Sequence, residues 1–419
     1  MHALLITNVL AKVGEIALAV GILLAMVTVH EFGHYVVGKL LGFKINEFAV
    51  GFGPAIFKKR SKKTGELFAV RVIPLGGYCA FDGEDYDEDD IRKDAEPEEP
   101  FSKMNADVKA EENAEIEEKD GGRYALNEKT RLDTSNEKDE YPEPQGVRFN
   151  EQAPWKRILV LIAGATMNYL LALLVIICMF AIMGRPLYRV VDKAELETGQ
   201  ATIVTEDTDV LQVGDVILKI EGRNLYLVTD YMDAIEGKKA GDTVRVRVIR
   251  NGEEKDVSMT LDVDADFVNM ADTGKLLHAM KVDGLYVQMH RQGFFQTIGN
   301  SIGYSVKIGG AVLRSLGELL TGKMGMESVG GPITTITMTA EMVSAGLMSF
   351  LNITAFIGVN LAVFNLLPVP ALDGSKVIFC LIEWVRGKPI NRKVETIIHF
   401  VGIVVLFGFA ILIDLLQLF

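Results

Sequence analysis

The chain alternates between long apolar stretches and polar segments. A helix needs about 20 predominantly apolar residues to cross a bilayer. Four stretches are long enough: residues 4–37, 158–183, 347–367 and 397–418. This pattern predicts a polytopic α-helical membrane protein with about four transmembrane helices. We expect the first stretch to be retained and not removed as a signal peptide, because no Lys or Arg precedes Lys12 and no clear cleavage site follows.

The segment after the first apolar stretch carries strand and turn signals. Residues 45–81 contain a predicted turn at Gly51–Pro54 and a strand candidate at Glu66–Ile73. They predict a β-loop that is associated with the membrane, because it follows an apolar helix directly. Two interpretations stay open: an interfacial hairpin that only packs, or an edge that receives an extended peptide by strand addition.

The segment between the second and third apolar stretches predicts a small α+β domain over residues 186–290. Strands are predicted at 243–250 and 255–261, joined by an Asn-Gly hairpin turn, and a short helix at 231–236. Residues 294–320 have the spacing of an amphipathic helix that lies on a membrane surface.

These patterns together divide the chain into nine segments. They are 1–44, the first transmembrane helix; 45–81, the β-loop; 82–148, an insertion; 154–184, the second transmembrane helix; 186–290, the α+β domain; 291–345, an amphipathic helix and linker; 346–374, the third transmembrane helix; 375–396, a cytoplasmic loop; and 397–419, the fourth transmembrane helix.

Charge refines this division. The chain has a net charge of −13, and residues 82–148 hold 24 Asp and Glu against 10 Lys and Arg, a net of −14, so the remainder sums to +1. Such an acidic segment with few apolar residues predicts a solvated, partly disordered cytoplasmic insertion, with a divalent-cation site or a partner-binding tail as the alternatives. No basic stripe stands out, which argues against a nucleic-acid partner. The three cysteines are far apart and predict neither a disulfide framework nor a cysteine zinc site.

Basic residues cluster after the first and third apolar stretches and before the second and fourth. Because cytoplasmic loops carry an excess of Lys and Arg, these ends are expected to face the cytoplasm. Both termini and the α+β domain are then extracytoplasmic.

Near the cytoplasmic end of the first apolar stretch stands His-Glu-x-x-His, formed by His30, Glu31 and His34. On a helix, residues i and i+4 share one face, so the two imidazoles can converge on one metal ion beside the carboxylate. Polar side chains in a membrane span are costly unless they bind something. The motif therefore predicts a zinc hydrolase site with Glu31 as the base, in preference to two unrelated surface histidines.

A catalytic zinc site takes three protein ligands and keeps a fourth position for water. Asp373 is the strongest candidate for the third ligand, because it follows an apolar stretch at the same predicted depth as His30 and His34. Its alternative role is the N-cap of a helix that starts at Gly374.

The motifs together resemble the bacterial site-2 intramembrane metalloproteases of the RseP and RasP type, in a form with a single PDZ domain. The resemblance is carried by HEFGH, GFGP, IPLGGY, a Gly-Asp-x-Ile-x-x-Ile-x-Gly segment and NLLPVPALDG, and it covers most of the chain except residues 82–148. It implies these roles: His30, His34 and Asp373 bind Zn²⁺, Glu31 activates water, and Asn365, Gly51, Gly53, Gly76 and Gly77 bind substrate.

The resemblance also implies an activity and a location. The expected function is that of an intramembrane zinc endopeptidase in the bacterial cytoplasmic (inner) membrane, with its active site near the cytoplasmic side. The expected partners, besides the lipid bilayer, are single-span membrane proteins already cut by another protease, such as anti-sigma factors, or signal-peptide remnants. The PDZ-like domain would then filter substrates by size.

Two other functions compete with this interpretation. A catalytically silent membrane scaffold is disfavoured because His30, Glu31, His34 and Asp373 are all intact. A metal transporter is expected to bear polar residues along several spans, whereas the second and fourth apolar stretches are nearly without them.

Overall fold

The structure, a computed structural model, describes residues 2–84, 141–198, 208–267, 272–325 and 329–418. The predicted acidic insertion lies outside the described residues from 85 to 140. The described residues divide into two compact units. Unit I lies within Met1–Val29, Ala165–Leu367 and Val405–Phe419, and unit II lies within His30–Gly164 and Pro368–Val404.

The helices and strands follow one another in this order: α1 (His2–Leu40), β1 (Ile45–Arg60), β2 (Leu67–Phe81), a 3-10 turn (Phe149–Glu151), α2 (Pro154–Met183), β3 (Arg185–Val191), α3 (Lys193–Thr198), β4 (Val216–Ile220), β5 (Arg223–Asn224), α4 (Val228–Ile235), β6 (Thr243–Arg250), β7 (Glu253–Thr260), α5 (Thr273–Met280), β8 (Gly284–His290), α6 (Phe294–Leu320), α7 (Pro332–Ser344), α8 (Leu347–Asn365), α9 (Asp373–Arg386) and α10 (Arg392–Leu418).

Among the described residues, four helices are long and apolar enough to cross a membrane, and they are α1, α2, α8 and α10. Many apolar side chains of α10 are exposed, including Phe400 and Phe407, each at 65%. Contiguous apolar surface of this kind is stable when lipid covers it. The protein is therefore a membrane protein, as its hydropathy pattern predicts.

The β-loop of unit II consists of β1 and β2, which are long and strongly bent. Phe48 lies opposite Cys79 and also opposite Phe68, and Phe68 lies in turn opposite Lys59. The first half of β1 therefore has a strand on each of its two edges, residues 67–70 on one and residues 77–80 on the other. The second half of β1 is exposed and carries Ile56 and Phe57 on its surface.

The turn predicted at Gly51–Pro54 is wrong, because β1 runs through these residues. Gly51 has a φ of +88° and Gly76, in β2, a φ of +118°, values that favour glycine. Both glycines lie where the register shifts, Gly51 between Val50 and Phe52 of β1 and Gly76 between their partners Gly77 and Ile73 of β2. Glycine in this conformation bends a strand without ending its hydrogen-bond ladder.

The segment predicted as a cytoplasmic loop at 375–396 is largely helix α9, and its cytoplasmic location stays a prediction. A buried ion pair joins Arg157 of α2 to Glu383 of α9, and each side chain is at most 5% exposed. Arg392, at the start of α10, also contacts Glu383 (3.2 Å). These contacts fix the helix that begins at Asp373.

Replacement of Arg157 by Ala is expected to lower the stability of the protein by about 3 kcal/mol, because it removes one partner of a buried ion pair. The midpoint of thermal unfolding in detergent measures the loss. Arg247→Ala is the control, since Arg247 pairs with Asp256 at the exposed surface of the α+β domain and its removal is expected to change the midpoint little. Equal midpoints for the two variants would contradict a structural role for the buried pair.

The α+β domain of unit I is built on an antiparallel sheet with the order β7-β6-β4-β3-β8, and β5 pairs with β4. The predicted strand at 243–250 is β6, and the Asn-Gly turn that follows has positive φ at both residues, as a type I′ hairpin requires. Alternate residues of β6, such as Val244 and Val246, are fully buried and face the core.

The domain contacts helix α6 through charged pairs. Lys307 of α6 reaches Asp230 of α4 at 2.6 Å, and Arg314 donates two hydrogen bonds of 2.8 Å to Asp233. A separate face of α6 is apolar and exposed, with Phe295 at 86%. The predicted amphipathic helix is present with the two faces that its sequence indicates.

The fourth apolar stretch, nearly without polar residues, carries two polar side chains of α10 that form specific hydrogen bonds. In unit I, Asp414 accepts hydrogen bonds from the backbone N–H groups of Ile333 and Thr334 and so caps the start of α7, a helix that the sequence did not predict. In unit II, His399 accepts a hydrogen bond from the backbone of Ala371.

Candidate metal centre

The first two ligands come from one turn of α1. His30 and His34 are four residues apart, and their Nε2 atoms lie 3.1 Å from each other. Both side chains are buried, at 7% exposure for each residue. The helical period therefore brings the imidazoles together, as the His-Glu-x-x-His spacing predicts.

Asp373, the first residue of α9, completes the cluster. Its Oδ2 lies 2.9 Å from His30 Nε2 and 3.3 Å from His34 Nε2. The N-cap position of α9 belongs to Leu372, which rules out the alternative role of Asp373 as the cap. The structure thus places three potential ligand atoms at the corners of a nearly equilateral triangle.

Helix α2 supplies two further contacts that sequence reasoning missed. His34 Nδ1–H donates to the carbonyl oxygen of Val160 at 2.8 Å, which leaves Nε2 available as a ligand. Gly164 lies one turn later, and a Cβ built there would stand 2.5 Å from His34 Nε2 and 2.7 Å from His30 Nε2. Gly164 therefore leaves open the space beside both nitrogens.

This arrangement fits Zn²⁺ by its dimensions and its chemistry. In a tetrahedral site with bonds of about 2.0–2.1 Å, ligand atoms stand about 3.3 Å apart. The three distances in the cluster are 2.9, 3.1 and 3.3 Å. Two imidazole nitrogens and one carboxylate oxygen are ordinary zinc donors, and a set of three leaves the fourth position for water.

Glu31 stands beside the cluster and is half-buried in the same turn of α1. The charge of Glu31 helps to raise the pKa of the Cys79 thiol in β2, so the two groups lie within electrostatic range of each other in unit II.

A buried carboxylate joins the β-loop to the part of α1 that carries the His-Glu-x-x-His motif. Glu66, 3% exposed, forms an ion pair with Lys39 and accepts hydrogen bonds of 3.0 Å from the hydroxyls of Tyr35 and Thr64. Tyr35 directly follows His34 in α1. The start of β2 is thus held against the same helix that carries the two histidines.

The predicted substrate residues lie in several places. Gly51, Gly53 and Gly76 have positive φ and shape the bends of the β-loop, whereas Gly77 pairs with Val50 in its ladder. Asn365 is the last residue of α8 and belongs to unit I. Their contribution to substrate binding stays a prediction.

The cysteines of unit II are not candidates for catalysis. Burial raises the pKa of the Cys79 thiol well above its usual range, and the charges of Glu31 and Glu84 add to the effect. Burial likewise raises the pKa of Cys380 to about 11. Both thiols are protonated at neutral pH, whereas a zinc ligand or a nucleophile has to be a thiolate.

Comparison with known proteins agrees with this geometry. The family model described as Peptidase family M50 matches residues 18–409. The chain belongs to peptidase family M50. It is similar to the zinc metalloprotease RasP of Oceanobacillus iheyensis, with 29% identity over 91% of this chain and 93% of the relative. It is also similar to the regulator of sigma-W protease RasP of Bacillus subtilis, with 27% identity over 90% and 92% of the two chains.

A solved PDZ domain of an SdrC-like protein from Listeria monocytogenes is 25% identical over 18% of this chain and 70% of that chain, with a TM-score of 0.14. That score is too low to establish a common fold.

Membership in family M50 makes the protein a zinc metalloprotease of the site-2 type. The predictions of an intramembrane zinc endopeptidase and of Zn²⁺ as its cofactor are confirmed. The silent scaffold and the metal transporter are not favoured.

Proposed function

We propose that the protein cuts single-span membrane proteins within or beside their transmembrane segment, with His30, His34 and Asp373 as the zinc ligands. One observation carries the proposal: three zinc-type donors converge within 3.3 Å near the end of α1, a helix apolar enough to cross a membrane. A hydrolytic site at this depth has a peptide bond of a membrane segment as its natural substrate.

Bound Zn²⁺ supplies polarisation of the scissile carbonyl and a lowered pKa of its water. Glu31 accepts the proton of the attacking water and then delivers it to the leaving amine, so that one water and one peptide bond become a carboxylate and an amine. The Val160 carbonyl holds the ring of His34 in place, and Gly164 keeps the space beside both histidines open.

A substrate helix hides its carbonyls in hydrogen bonds, so the segment has to unwind before it is cut. The β-loop can hold the extended form by strand addition. Residues 77–80 of β2 pair with residues 47–50 of β1, and within the described residues their other edge has no strand partner. Cys79, on this part of β2, lies within electrostatic range of Glu31, which supports a substrate position on this edge.

Substitution of Glu66, which holds the start of β2 against α1, tests this role of the β-loop. Glu66→Gln removes the ion pair with Lys39, and cleavage is expected to fall about tenfold with zinc content unchanged, because small misplacements of a substrate cost up to about 10²-fold in rate. Cleavage kinetics and metal analysis measure the two quantities. Glu254→Gln, on the exposed surface of the α+β domain, is the matched control. Unchanged cleavage by the Glu66 variant would show that the β-loop does not position substrate.

The basic loops support a topology in the bacterial cytoplasmic membrane with both termini and the α+β domain outside and the metal site near the cytoplasmic side. In this arrangement the α+β domain, which we take to be PDZ-like, excludes substrates with large external domains. The Bacillus subtilis relative is named regulator of sigma-W protease RasP. We extend the idea to this chain: its substrates are membrane-tethered proteins, such as anti-sigma factors, that another protease has shortened, or signal-peptide remnants.

The proposal is tested with two reporter substrates that share one transmembrane segment, one with a folded external domain and one without it, in liposomes containing the purified protein. Only the short substrate is expected to be cut, at a site within or next to the membrane segment, and Glu31→Gln is the inactive control. Mass spectrometry of the products locates the cut. Cleavage only in soluble regions contradicts intramembrane proteolysis, and equal cleavage of both substrates contradicts the size filter.

A further inference from the structure

The loop before α9 holds a strained backbone next to the third candidate ligand. Ala371, two residues before Asp373, has a φ of +85°, in the left-handed region that an L-residue with a side chain rarely adopts. Contacts with neighbouring residues have to offset the cost of this strain. Two such contacts come from the part of α10 that belongs to unit II, the same unit as Ala371.

The first contact is a hydrogen bond. The backbone N–H of Ala371 donates to Nδ1 of His399 at 3.2 Å. The His399 ring also packs edge-to-face on Phe379 of α9, with the ring centroids 5.7 Å apart. A histidine within a mostly apolar helix is costly, which favours a specific role over chance.

The second contact is a close approach of backbones. Gly402 lies three residues after His399 and so shares its helix face. A Cβ built at Gly402 would lie 2.7 Å from the carbonyl carbon of Pro370 and overlap the proline ring. Helix α10 therefore packs directly on the residue before Ala371.

Hydrogen bonds carry this restraint on to Asp373. Leu372 N–H donates to the Val369 carbonyl at 3.1 Å, and the Ser375 hydroxyl donates to the Leu372 carbonyl at 2.7 Å. The residues on both sides of Asp373 are thereby fixed relative to the loop that α10 holds.

We propose that His399 and Gly402 are positioning residues that set the place of the Asp373 carboxylate opposite the two histidines. The inference rests on the proposed role of Asp373 as a zinc ligand. Partners behind a metal ligand typically account for about 10–100-fold in metal affinity. Neither residue touches the reacting atoms, so their loss acts on metal retention first and on cleavage through it.

The test compares full-length variants in detergent. His399→Phe keeps a ring but removes the acceptor, and the cavity of about 340 Å³ that His399 lines leaves room for it. His399→Asn keeps an acceptor close to the position of Nδ1. We expect His399→Phe to lose zinc to a chelator about tenfold faster than wild type and His399→Asn to restore most of the retention. Thermal unfolding of the zinc-free proteins is expected to be alike.

Gly402→Ala is the independent test, and Gly408→Ala is its matched control, because nothing lies within 4 Å of a Cβ at Gly408. We expect faster zinc loss only for Gly402→Ala. Wild-type zinc retention by both His399→Phe and Gly402→Ala overturns the inference, and so does an Asn variant that is no better than Phe. Asp373→Ala distinguishes the ligand assignment from the positioning role. If it keeps its zinc, the ligand assignment fails; if it loses zinc while both His399→Phe and Gly402→Ala keep theirs, only the positioning role fails.

Discussion

Glu31→Gln is expected to lower the rate of cleavage by about 10²–10⁴-fold, the usual contribution of a general base. The amide has nearly the shape of the carboxylate but cannot accept the proton of the attacking water. The ligand atoms of His30, His34 and Asp373 are untouched, so zinc content is expected to equal that of wild type. Single-turnover cleavage of a reporter substrate and metal analysis on the same preparation measure both quantities.

The control is Glu15→Gln, the same change in the same helix but four turns away from the motif and half-buried. It is expected to cut at the wild-type rate. Wild-type activity in the Glu31 variant would remove Glu31 from the chemistry and leave the water without an identified base. Loss of zinc along with activity would instead make Glu31 a structural support of the ligands.

Gly164→Ala is expected to lower zinc affinity by at least about 100-fold, the upper end of effects caused by residues around a metal site. The added methyl group would stand 2.5 Å from His34 Nε2 and 2.7 Å from His30 Nε2, well inside ordinary contact distance. The imidazoles have to move away, and the triangle with Asp373 opens. Activity is expected to fall with metal content and to return in part at high zinc concentration.

Gly21→Ala is the matched control, because a Cβ at Gly21 of α1 meets no atom within 4 Å. Both variants exchange a helical glycine for alanine, so differences in helix propensity cancel. Competition with a chromogenic chelator gives the affinities. Equal affinity for the two variants would mean that the space beside the histidines is larger than the structure indicates.

Local spacing predicts the histidine pair well, because residues four apart on a helix always share a face. Asp373 could be found only by combining motifs, since 339 residues separate it from His34 along the printed sequence. Gly164 could not be found from local pattern at all. Its significance depends on how α2 packs against α1, and a glycine within an apolar helix is ordinary in membrane spans.

The β-loop shows why turn signals are less certain than helical period. Gly51, Gly53 and Pro54 have the composition of a turn, yet β1 continues through them with a shift in register. The same glycine conformation serves a turn and a bend within a ladder. The choice between them is made by long-range pairing with β2, which a single stretch of sequence does not contain.

Helix α9 was predicted only within an alternative, as a helix that starts at Gly374, for a related reason. Its stretch is rich in charged residues that follow an apolar span, a composition that suggests a loop. In the structure the charged side chain of Glu383 is buried and forms ion pairs with Arg157 and Arg392. Composition alone does not reveal that charged residues from three helices neutralise one another.

The contact between the α+β domain and α6 has a consequence for the conditions under which the enzyme works. Two of its links are ion pairs whose basic partners, Lys307 and Arg314, are 45% and 46% exposed. Dissolved salt screens such pairs, since the Debye length falls from about 10 Å at 0.1 M to about 3 Å at 1 M ionic strength. The electrostatic attraction between α6 and this domain therefore weakens as the ionic strength rises. The buried pair between Arg157 and Glu383 is screened far less.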